Sequence, residues 1–173
     1  MLFAGNYNVD ASHSNVGFSV KHMMITNVTG KFNDVSGNFE YDEKTNTLKA
    51  LSGDIIVASI NTADEKRDTH LKAEELFDAA KFPKINFNAT KIQENAVYGD
   101  LTMKGITKNI KLELENGGTV TDPWGKQRAG FELVGKINRK DFGITWNKVL
   151  ETGGVAVGEE IKLQIAMEGI LAK

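Results

Sequence analysis

Apolar side chains recur at every second residue in segment after segment of this chain, and that rhythm restricts the fold more than any other feature. Val16, Phe18, Val20 and His22 share one face of a stretch whose other face carries Asn15, Ser19 and Lys21. The alternation returns at Val35, Phe39 and Tyr41; at Ile85, Phe87 and Ala89; at Val97, Leu101 and Met103; and at Ile110, Leu112 and Leu114. It closes the chain at Phe131, Leu133 and Ile137 and at Ile161, Leu163, Ile165 and Met167. Successive side chains of a strand point to opposite faces, so a period of two sets one face on an interior and the other in water. Repeated strands of this kind in 173 residues indicate a barrel or a sandwich.

The connections are short and polar, as at Asp42 to Asn46, Glu94-Asn95, Lys104-Gly105 and Asn116-Gly117-Gly118. Asp122-Pro123-Trp124-Gly125 suits a type I turn, with Pro second and Gly fourth. Short links pair neighbouring strands as hairpins, giving a mainly up-and-down order, and closing such a sheet removes its edges. One stretch departs from the rhythm. Residues 62–80 are rich in helix formers, with apolar Leu71, Leu76 and Phe77. Thr62 followed by Glu65 predicts a capping box, and Pro83 ends any helix before the strand at Ile85. A helical excursion across a barrel end or flank is expected.

Charge and composition exclude several functions. A formal net charge of -2 with scattered charges leaves no basic face for nucleic acid and no polybasic membrane patch. With no cysteine there is no disulfide, thiolate nucleophile or cysteine-bound metal. No apolar run reaches the ~20 residues of a membrane-spanning helix. Leu2-Phe3-Ala4 looks like the tail of a cleaved leader, so a mature form is expected. His13, His22 and His70 lack metal-ligand spacing, and no metal site is expected. Ser12-His13 and Asp68 with His70 have the residue types of a hydrolase triad but no nucleophile elbow accompanies them. His22 reads either as a satisfied core histidine or as a polar anchor in a pocket. Arg67, Asp68 and His70 read either as an ion pair fastening the helix or as a polar rim. Met23, Met24 and Ile25 suit either a soft, adaptable contact surface or a packed strand end. Phe142 and Trp146 are large aromatics of the kind that fill cores.

Several segments together resemble the YceI-like domain family. They are YNVDASHSNVGFSVKHMMITNVTGKF at 7–32, SINTADEKRDTHLKAEELFDAAKFPKINF at 59–87 and GDLTMKGITKNIKLEL at 99–114. GKINRKDFGITWNK at 135–148 and VGEEIKLQIAMEGIL at 157–171 complete the series in order. Asn61, Lys104 and Leu76 stand where aspartate, histidine and an aromatic are more usual; if Leu76 lines a cavity, the change alters the preferred tail. The resemblance implies an all-β fold: an extended eight-stranded antiparallel lipocalin-like barrel with a short helical insertion, as one domain over residues 1–173. It also implies a periplasmic or secreted bacterial protein, frequently a homodimer, that binds a polyisoprenoid or other long amphiphilic lipid.

The expected function is binding, carriage or sequestration of such a lipid, an isoprenoid quinone, fatty acid or fatty amide among the candidates, without catalysis. No cofactor is expected beyond the lipid, no nucleic acid, and at most transient membrane contact. The apolar tail is assigned to Phe18, Val20, Leu71, Phe77, Ile110, Leu112, Phe131, Leu133, Phe142 and Trp146, and the head-group end to His22, Arg67 and His70. Two alternatives stay open: an enzyme acting on a lipid head group, which needs two titratable groups converging at a cavity mouth, and a filled-core scaffold or dimerisation module, which needs an exposed apolar patch and no cavity.

Overall fold

The structure, a computed structural model, describes residues 4–173, so the leader-like Met1 to Phe3 lie outside the described residues. The strands are β1 (Gly5–Val9), β2 (Asn15–His22), β3 (Thr26–Phe32), β4 (Val35–Asp42), β5 (Thr47–Ile56) and β6 (Ile60–Asn61). The helix α1 (Glu65–Leu71) follows, then β7 (Lys84–Gln93), β8 (Ala96–Met103), β9 (Ile106–Thr121), β10 (Gln127–Asn138) and β11 (Val157–Leu171). Pairing runs β1-β4-β5-β7-β8-β9-β10-β11 and returns to β1, which closes an eight-strand antiparallel barrel. β2, β3 and β6 lengthen it. β1 and β2 lie end to end along β11, through Val9↔Gly169 and Asn15↔Ala166. β4 and β3, and likewise β5 and β6, continue one another in the same way. The chain is thus one meander of eight strand positions, three of them interrupted.

Bulges adjust the pleat. Between Glu40 and Tyr41 the register on β5 jumps from Ala50 to Leu48, so Leu48 and Leu51 both point inward despite odd spacing. A second jump, between Ala89 and Lys91, moves the inward set of β7 from Ala89 to Ile92. Such insertions bend a strand and tighten its twist, which a small closed barrel needs. Glycine serves the interior where aromatic rings cross it. A Cβ at Gly99 would sit 2.4 Å from the Phe87 ring, and one at Gly30 would sit 2.4 Å from the Phe18 ring.

The two ends of the barrel differ. One carries the Asp42–Thr47, Gln93–Ala96 and Thr121–Gln127 turns. The last follows expectation: Asp122 accepts from the Gly125 amide at 3.0 Å, and Gly125 takes φ 81°. This end is solid. Tyr7 stacks on Phe39 at 5.4 Å, Phe131 meets Phe39 edge-on at 4.9 Å, and Leu48, Val97, Leu114 and Leu133 fill the rest. Burial pushes the phenols of Tyr7 and Tyr41 above the usual tyrosine range.

The opposite end carries the β2–β3 turn, residues 62–83 between β6 and β7, and residues 139–156 between β10 and β11. The insertion is less helical than its composition suggests. α1 has a single run of seven residues, and turns make up the remainder. The expected capping box does not form. Asp64 is the cap, accepting from the Arg67 amide at 2.9 Å, while the Thr62 amide and hydroxyl donate to Asp68 at 2.9 and 2.6 Å. Asp68 thereby ties the helix to the end of β6.

Candidate functional site

Beneath that cap lies a cavity of about 190 Å³ with an almost wholly apolar wall. Its sides come from β2 (Phe18, Val20), β9 (Ile110, Leu112) and β11 (Ile161, Leu163, Ile165, Met167), and its roof from Leu71, Leu76 and Phe77. Phe77 is held by the hydrogen bond its backbone N–H donates to the Leu71 carbonyl, 3.0 Å, and by an edge contact with Phe32 at 6.1 Å. The residue whose identity could tune the tail, Leu76, is therefore in the wall.

Of the ten positions assigned to the tail, Phe18, Val20, Leu71, Phe77, Ile110 and Leu112 border this space. The other four do not. Phe131 and Leu133 have the same inward parity, but their register on β9, Phe131↔Asn116 and Leu133↔Leu114, places them in the solid end. Phe142 is 1% exposed in the core around the cavity without reaching its surface. Trp146 packs edge-on against His70 at 4.9 Å.

The three head-group positions stand away from the wall. His22 is exposed, because β2 has passed the rim by the time it reaches this residue; it is neither a core histidine nor a pocket anchor. Arg67 is exposed and turned back on its own loop, donating from Nε and Nη2 to the hydroxyl and carbonyl of Thr62, each at 2.8 Å. The fastening of the helix thus runs through hydrogen bonds at Thr62. His70 hydrogen-bonds Glu75 beside Trp146.

The polar residue that matters most to the site was hidden in the sequence. Arg139 is 3% exposed and borders the cavity. Its guanidinium donates to the carbonyls of Gly158, Ile144 and Trp146, each at 2.8 Å, and to that of Val157 at 3.3 Å. Burial lowers its pKa from the usual arginine range. The run Asn138-Arg139-Lys140-Asp141 reads as a solvated turn, and nothing in it separates Arg139 from Lys140. A side chain with five donors in a fixed fork can hold several carbonyls at once, and this one clasps both ends of the 144–157 segment.

A second polar cluster lies outside the cavity. Arg128 reaches Asp10 at 2.8 Å, Asp122 at 2.8 Å and Glu168 at 2.9 Å. Ser12, Arg128 and His13 hold the Asp10 carboxyl well below its usual range, and Arg128 with the Lys126 amide does so for Asp122. Asp10, His13 and Glu168 lie close enough to hold an ion, but Arg128 already occupies two of their carboxylates. Ser12 and Asp10 both face Nδ1 of His13, so the ring cannot relay a proton between them as a hydrolase triad would.

An eight-stranded up-and-down barrel enclosing an apolar space is a lipocalin-like architecture. The chain belongs to the YceI-like domain family, whose model matches residues 7–169. A UPF0312 protein of Staphylococcus aureus (strain N315) is 41% identical over 165 residues, covering 94% of this chain and 96% of the relative. The Campylobacter jejuni YCEI protein superposes with a TM-score of 0.75 at 34% identity, over 88% of this chain and 90% of its own. A polyisoprenoid binding domain from Saccharophagus degradans shares the fold, with a TM-score of 0.73 at 14% identity over 99% of this chain and 100% of its own.

Proposed function

We propose that this protein holds the tail of a long-chain amphiphilic lipid in the barrel and carries or sequesters it without chemical change. The observation that carries the reading is the apolar cavity. A water molecule in a protein needs two to four polar partners, and this wall offers almost none. Left dry, a void of about 190 Å³ costs on the order of 5 kcal/mol at roughly 24 cal/mol per Å³. That is as large as the net stability of many domains, about 5–15 kcal/mol. A hydrocarbon tail removes the penalty and gains about 0.8 kcal/mol for each CH₂ it buries. The polyisoprenoid binding described for the Saccharophagus degradans domain of the same fold supports the ligand class.

Binding is favoured over catalysis by the wall's charged groups. Arg139 is committed to four carbonyls, and Asp54 accepts from Asn86 Nδ2 at 2.7 Å. Both are engaged within the protein, which supports binding over catalysis. The proposal includes a periplasmic or secreted setting, in which an insoluble tail must cross water, and a homodimer, both open to cell fractionation and sedimentation. The direct test is mass spectrometry of organic extracts from purified protein, beside a Leu163→Phe variant that puts a ring into the cavity. The wild type should release a stoichiometric lipid and the variant much less, with stability changed by less than about 1.5 kcal/mol. A lipid-free wild type with no affinity for added long-chain lipid would remove the carrier reading.

A further inference from the structure

The turn between β2 and β3 is chemically out of place. His22 to Ile25 closes with the Ile25 amide on the His22 carbonyl at 3.1 Å, and both central residues are left-handed, Met23 at φ 49° and Met24 at φ 66°. That is a type I′ hairpin turn, for which Asn-Gly is the favoured sequence. Here it is Met-Met, two side chains that disfavour the backbone they occupy. Nor does burial compensate: Met23 is 45% exposed, Met24 61% and Ile25 80%. The hairpin formed by residues 148–156 stands beside it, with Met23 donating to the Ala156 carbonyl at 2.8 Å, Gly154 leaving room for the Met24 thioether, and Val149 79% exposed. Two adjacent tips therefore present four large apolar side chains to water at the cavity end of the barrel. Val20 and Val157, at the base of the two tips, already belong to the cavity wall.

The geometry points to a docking surface for a lipid bilayer, with Met23, Met24, Ile25 and Val149 entering the interface. It rests on the lipid-holding reading only for what it would transfer. A second copy of the chain is a poorer occupant. Stable dimers use roughly 20–30 residues a side on complementary faces, whereas these are four side chains on narrow convex tips. A fluid interface takes such tips without matching their shape. Lys21 and Lys148 flank the apolar group against Glu151, a balance that suits an anionic headgroup layer and reversible attachment. The adaptable methionines suit a disordered medium.

The test uses the full chain and vesicles of phosphatidylcholine with phosphatidylglycerol. Wild type should co-sediment with them, and Ile25→Asp should lower the partition coefficient roughly tenfold or more, since attachment scales with apolar area buried. The paired change Met23→Asn with Met24→Gly is the sharper probe. It suits the turn, so it should raise the thermal midpoint while weakening vesicle binding. A turn kept for folding would instead show a lower midpoint and unchanged binding. Failure of wild type to bind vesicles, or equal binding by the Asn-Gly variant, would overturn the docking surface. So would sedimentation velocity showing that the variants split a dimer while vesicle binding stays the same. Lipid in organic extracts of the same samples is scored separately, so its absence would count against the cavity reading alone.

Discussion

The two ends of this barrel are built from the same strands with the same inward alternation, and one is full while the other is hollow. At the solid end, Tyr7, Phe39 and Phe131 interlock in stacked and edge-on contacts. At the other, Phe18, Ile110 and Leu163 face a space that none of them fills. An interior position in a barrel therefore has two coordinates: its face, which follows from parity, and its height along the axis, which follows from register. The first sets whether a residue is buried. The second sets whether burying it stabilises the fold or shapes a binding site.

Truncation breaks or sharpens this contrast most strongly. Phe131→Ala, in the solid end, should cost about 3–5 kcal/mol, because it opens a void among close-packed rings. Phe18→Ala enlarges a void that already exists, and by the same reasoning should cost less than about half as much. Urea midpoints compare the two, and equal losses would mean the hollow end is as tightly packed as the solid one.

Next in size is Arg139→Met, which leaves four carbonyls without their donor. A loss on the order of 3 kcal/mol is expected, with proteolysis of the 143–156 segment before the rest of the chain. Uniform protease resistance would show that the clasp does not hold that segment.

The smallest effect is acid sensitivity at the Arg128 cluster. The Asp10 and Asp122 carboxyls titrate below their usual range when folded. Their contribution is therefore complete above the unfolded value near pH 3.9 and is lost as pH falls through the lower folded values. Arg128→Met should reduce the difference in urea midpoint between pH 6 and pH 3. Asp10 keeps part of its shift through Ser12 and His13. Parallel profiles for the two proteins would remove the cluster from the acid response.

Much of this was legible in the sequence. The alternation at Val97, Leu101 and Met103 and at Ile110, Leu112 and Leu114 marks strands whose inward faces are as read. Four strands escaped it for physical reasons. β5 changes parity at its bulge, β3 is largely polar where the sheet runs beyond the core, and β1 and β6 have only five and two residues. The site was half visible. Phe18 and Phe131 look alike along the chain, and only pairing across the sheet puts one beside the cavity and the other in the plug. His22 continues the apolar face of its strand, but the barrel ends before it. Arg139 stood out in no pattern because its partners are backbone carbonyls from residues 144 to 158, which no side-chain motif announces.

The fifteen-residue β11 has consequences beyond the walls it completes. It pairs with β10 behind it and with both β1 and β2, made at the start of the chain. During synthesis, the first and tenth strands each keep a raw edge until β11 emerges from the ribosome, so the ring cannot shut before then. Its pairing with β1 joins the first strand of the barrel to the last, which makes closure slow and leaves the nascent form open to misassociation. Loss of even its last few residues would separate the terminal strands and should harm solubility sooner than affinity.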